Sequence, residues 1–133
     1  MEFVTFELAK KLKGKGYPQH ICDHAYITRD DEEEGKYAFG DREYIPFIPD
    51  YLPTIAAPIV SQVLKWLREE KKLHICIDIS YDGWFFDISS FYKEDTGVYE
   101  TELHYLASNL TPDYESYEQA AIAGIEYCLD NLI

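Results

Sequence analysis

The chain has 133 residues, 47% of them hydrophobic and 16% aromatic, with a formal charge of -13. That length fits one domain, and that much apolar material excludes a disordered chain despite the charge. No apolar run approaches the roughly 20 residues of a membrane span, and a surplus of acid argues against direct nucleic-acid binding, which needs a basic footprint.

The charge is uneven along the chain. Residues 1–72 carry 11 basic and 13 acidic side chains, net -2; residues 73–133 carry one basic residue, Lys93, against 12 acidic ones, net -11. This balance suits solubility and a basic protein partner. The segment Met1 to Glu7 lacks the basic start and apolar stretch of a signal peptide. With Cys22, Cys76 and Cys128 an odd set, the expectation is a cytoplasmic protein with reduced thiols.

In chain order, the first predicted element is a helix from Thr5 to Lys13. Thr5 caps it, Glu7 sits in the first turn, Leu8, Ala9 and Leu12 share a face, and Gly14 and Gly16 stop it. Gln19 to Thr28 reads as a strand, residues 30–35 as an exposed acidic turn, and Lys36 to Phe39 and Tyr44 to Ile48 as short strands. Pro46, Pro49 and Pro53 mark an irregular connection. A second helix is predicted over Thr54 to Lys72, its regular part starting near Ala57 because Pro58 fits only a first turn. Ile59, Val60, Val63, Leu64 and Leu67 form its apolar stripe, with Trp66 at the margin.

The period then changes to two. Leu73 to Tyr81 alternates, Asp82-Gly83 is a hairpin signal, and Trp84 to Tyr92 returns. A turn on Asp82-Gly83 pairs Tyr81 with Trp84, Ile79 with Phe86 and Ile77 with Ile88. One face then holds Ile75, Ile77, Ile79, Tyr81, Trp84, Phe86 and Ile88 as the side the helices cover. The opposite face sets Asp78 against Asp87 and Cys76 against Ser89. A third strand, Val98 to Tyr105, adds Glu100 and Glu102 to that face if it lies alongside, with Phe85 and Phe91 between the acids. Ser116-Tyr117-Glu118-Gln119 is a capping box opening the last helix. Ala121, Ile125, Cys128, Leu129 and Leu132 form its stripe, and Gly124 permits close approach to the sheet. The fold class expected is α+β: a mostly antiparallel sheet with about three helices packed on one face, in a single domain spanning residues 1–133.

Several patterns bear on chemistry. Asp78, Asp87, Glu100 and Glu102, with Phe85, are the candidate partner-binding residues, since opposed carboxylates repel unless something basic covers them. Lys10, Lys11, Lys13 and Lys15 form a lysine cluster that could do so from this chain or a second copy, by self-association. Paired carboxylates also permit acid-base work, but no catalytic residue is assigned. Asp78 to Gly83 imitates the start of a calcium loop, yet the twelfth position is Ser89 rather than a bidentate Glu. His20, Cys22 and His24 project from one strand face and are zinc-type ligands. A fourth ligand must come from elsewhere, such as Asp23 or His104, and the spacing lacks a structural-zinc signature, so no metal and no cofactor is expected. Neither Cys76, among acids, nor Cys128, mid-stripe, suits a nucleophile. There is no glycine-rich phosphate loop, G-x-S-x-G or H-E-x-x-H.

Three blocks carry a resemblance: Phe6 to Lys13 before glycine; Pro53-Thr54 with Val63 to Glu69 running into His74-Ile75; and Tyr117 to Ala121 with Gly124-Ile125 and Leu129. In this order they resemble short uncharacterised proteins of Bacteroides-type gut bacteria and their phages, over roughly half the chain and not over Gln19 to Tyr51. The resemblance implies a cytoplasmic accessory protein of a phage or mobile element and brings no site residues. The function expected is therefore a non-enzymatic binding protein. The alternatives are an acidic inhibitor that imitates nucleic acid and a small metal-dependent hydrolase.

Overall fold

The computed structural model describes residues 2–19, 22–28, 37–41, 54–92, 102–108 and 114–133, with backbone alone at 27–28, 37–41, 91–92 and 102–108. The expected turn at 30–35 and strand Tyr44 to Ile48 lie outside these residues. The architecture is α+β, with three helices and two three-stranded antiparallel sheets among the described residues. Residues 1–59 and 60–133 form two compact units.

In the first unit, α1 spans Phe6–Gly14. The Thr5 hydroxyl accepts the Leu8 N–H at 3.2 Å, and Leu8, Ala9 and Leu12 are buried, as the helical spacing requires. Gly16 follows at φ 90°, a backbone region open to glycine. Strands β1 (His24–Thr28), β2 (Tyr37–Asp41) and β3 (Thr54–Ala56) form a sheet in the order β2-β1-β3.

β3 corrects the expected extent of the second helix. Thr54–Ala56 pairs with Ile27, Tyr26 and Ala25 of β1 instead of coiling. Pro58 explains the break: it has no N–H to give a helix, and its carbonyl accepts the Val4 N–H at 3.0 Å. Gln19 pins the sheet edge. Its side-chain amide donates to the Tyr17 carbonyl at 2.9 Å and its oxygen accepts the Ala56 N–H at 2.8 Å. The Tyr26 hydroxyl donates to the Val4 carbonyl at 2.6 Å, so a buried phenol is satisfied.

In the second unit, α2 spans Val60–Glu70 and buries Val60, Val63, Trp66 and Leu67. Trp66 is thus core rather than margin, and Lys71 lies over its ring at 5.4 Å. Lys72 leaves the helix at φ 56°, a left-handed conformation that turns the chain directly into β4. Strands β4 (Leu73–Ser80), β5 (Gly83–Tyr92) and β6 (Glu102–Ser108) lie in the order β4-β5-β6.

α3 spans Tyr117–Tyr127 and continues as a π-helical turn, Cys128–Leu132. Ser116 caps it, accepting the Gln119 N–H at 3.1 Å. The reciprocal bond of the expected capping box reaches one residue further back: the Gln119 side-chain oxygen accepts from Glu115 N–H at 3.0 Å. Ala120, Ala121, Gly124, Ile125, Cys128 and Leu129 are buried, and α3 packs on β4 and β5. Gly124 makes this possible. A Cβ there would stand 3.0 Å from Ile75 Cγ2 and 3.3 Å from Phe86 Cγ.

Candidate functional site

The β4–β5 hairpin carries most of the residues singled out by sequence. Its register differs from the expected one by two residues. Ile77 faces Phe86, Ile79 faces Trp84, and Ser80 faces Gly83, so the loop is Tyr81–Asp82. Gly83 takes φ 137° just after the loop. The glycine of the Asp-Gly signal thus serves the exit of the turn rather than its centre.

A slip of two keeps every residue on its face but changes the neighbours. Asp78 lies opposite Phe85, and Asp87 opposite Cys76. The two carboxylates are diagonal rather than directly opposed, which relieves the expected repulsion. The Asp78 carboxylate accepts the Ile79 N–H at 2.8 Å and is exposed; Asp87 and Phe85 are half-buried.

The third strand brings a second correction. β6 is in register with β5 as Ile88 with Ala107 and then Ser89 with Tyr105, which leaves Leu106 as an extra residue. Beyond this bulge Glu102 pairs with Tyr92 and His104 with Ser90. Ser90 in turn pairs with the buried Leu73. Glu102 therefore belongs by register to the row of Tyr92, not to that of Asp78 and Asp87. One inserted residue exchanges the faces of all that follows it. Glu100 lies outside the described residues.

The helix-facing side of the hairpin is covered only at its base. Leu73, Phe86 and Ile88 are buried and Ile75, Ile77 and Trp84 half-buried, whereas Ile79 is 59% exposed and Tyr81 fully exposed. The period-two pattern places both under the helices, and the structure does not. Trp84 is held at the boundary by backbone bonds with Tyr114 and an edge contact with Tyr117 at 5.9 Å between ring centroids. Sequence reading missed the exposed pair Ile79 and Tyr81; their place at the loop was the available signal.

β1 begins at His24, so Cys22 does not share a strand face with it as expected. His20 lies outside the described residues, Cys22 is buried, and His24 packs against the Phe3 ring at 4.6 Å. Cys22 instead neighbours buried Tyr17; burial first, and the thiol second, raise the Tyr17 hydroxyl above its ordinary pKa. Among the described residues no three His, Cys, Asp or Glu side chains are grouped to hold a metal ion. Cys76 is exposed, while burial pushes the Cys128 thiol up to about 12. Among the described residues no helix is long and apolar enough to cross a membrane.

Comparison with protein-family models, with curated proteins and with solved structures finds no match.

Proposed function

We propose that the chain is a non-enzymatic accessory protein of a phage or mobile element, binding a basic protein partner through the exposed end of the β4–β5 hairpin. The observation that carries this reading is the placement of Ile79 and Tyr81, uncovered, between the exposed acids Asp78 and Asp82. An exposed aromatic with carboxylates beside it in the chain has the composition of a small recognition patch. From residue 73 to residue 92 the chain has no Lys or Arg to neutralise those acids internally. The mobile-element context rests on the three sequence blocks that resemble proteins of gut bacteria and their phages.

The test is retention of host lysate proteins on the immobilised chain at low and high salt, with Asp78→Asn/Asp82→Asn and Tyr81→Ser as comparisons. Basic proteins held at low salt and released at high salt, and lost by both variants, support the reading. Equal retention by wild type and variants sinks it. The contact should weaken with salt because exposed charges are screened beyond about 8–10 Å at ordinary ionic strength.

A further inference from the structure

β4 is the outermost strand of its sheet, and among the described residues no strand pairs with its far side. The two-residue loop closes on Ser80 and Gly83. Antiparallel hydrogen bonding alternates along a hairpin, so His74, Cys76 and Asp78 turn their backbone groups toward β5. Ile75, Ile77 and Ile79 turn theirs to the open side, where the Ile79 N–H donates to the Asp78 carboxylate at 2.8 Å and must leave it to join a ladder. An edge of this kind, unbulged over eight residues and free of proline, is a template for another strand.

The sequence of the edge says which strand fits. We infer that β4 pairs antiparallel with β4 of a second copy, about a two-fold axis at Cys76, making a continuous six-stranded sheet. In that register Ile75 faces Ile77 of the other copy, Leu73 faces Ile79, and His74 faces Asp78, each pair occurring twice by symmetry. The outward backbone groups of Ile75 meet those of Ile77, as the alternation requires. Neighbouring registers are poorer. A shift one way replaces the His74–Asp78 pair by Cys76 against Asp78, and the other way carries Ile79 and Asp78 past Leu73, the first residue of β4, and leaves them unpaired. The pairing also gives exposed Ile79 an apolar neighbour.

Salt separates this contact from the basic-partner reading, on which it does not depend. Two copies of charge -13 repel, so screening strengthens their association, whereas a basic partner is released. Cys76, the only exposed cysteine of the three, supplies a probe at the axis. Diamide takes two electrons and two protons from a pair of thiols, becoming the hydrazine, as the S–S bond forms.

The experiment is sedimentation of the reduced full chain from micromolar to millimolar concentration at low and high salt, with diamide trapping alongside. The expected result is a reversible dimer favoured by salt. It should be trapped as a disulfide in wild type and not in Cys76→Ser, with hydrogen exchange of the Ile75 and Ile77 amides slowing as concentration rises. Ile79→Lys, at a mostly exposed position and checked as folded by circular dichroism, should weaken the dimer about tenfold, because symmetry spoils two cross-strand pairs at once. A monomer at every concentration overturns the inference. So does a dimer that Ile79→Lys leaves unchanged, or trapping no faster in wild type than in that variant.

Discussion

The base and the tip of the β4–β5 hairpin are built from the same alternation and meet opposite fates. At the base, Phe86 and Ile88 lie under α3, 4% and 0% exposed; at the tip, the same face presents Ile79 and Tyr81 to water. Alternation assigns a side chain to a face, but it does not say which stretch of that face a helix covers.

The largest expected effect tests the base. Ile88→Ala should cost about 2–5 kcal/mol, since the side chain is wholly buried and leaves a cavity; a loss near zero in chemical denaturation breaks the comparison. The helix that covers the base is the next target. Ser116→Ala removes the acceptor for Gln119 N–H and should cost about 1 kcal/mol, read as a lower thermal midpoint. Gly124→Ala sharpens the picture further. Better helix propensity favours alanine by about 1 kcal/mol, but crowding against Ile75 and Phe86 costs typically 1–3 kcal/mol. The net should be a destabilisation of about 1 kcal/mol, and a stabilised variant would show that the sheet yields.

Alkaline stability probes the same cover. The buried Cys128 thiol rises from 9.0 to about 12. Above pH 9 the unfolded thiol loses its proton while the folded one keeps it. Stability is therefore full below 9 and declines as pH climbs toward 12. Cys128→Ala should flatten that slope relative to wild type in urea titrations. The smallest effects belong to the tip: Ile79→Ala and Tyr81→Ser should change stability by no more than about 0.5 kcal/mol. A larger loss at either position means that something covers the tip.

Much of this was legible in the residues. Thr5 and Ser116 announce their helices because a cap is a local bond between a hydroxyl and a nearby N–H. The faces of β4 and β5 follow from period two. What escaped depends on partners distant in sequence. Thr54–Ala56 reads as helix until β1 is there to pair it. Leu106 announces no bulge, because a bulge exists only relative to the neighbouring strand. Asp78 and Asp87 keep their common face but lie diagonally through the slip of two residues, and Glu102 leaves that face through the one extra residue. The expected burial of Ile79 and Tyr81 failed because alternation names a face and not what covers it.

The bare backbone at Gly124 couples two places in the chain that are 49 residues apart. Because a Cβ there would press on Ile75 Cγ2, a methyl gained at one position is accommodated by removing a branch at the other. Ile75→Leu, which deletes Cγ2, should therefore lessen the harm of Gly124→Ala, and the two changes together should cost less than their separate costs imply. In drift among descendants of this sequence, positions 75 and 124 are one unit of variation, and each substitution at one sets which residues the other can accept.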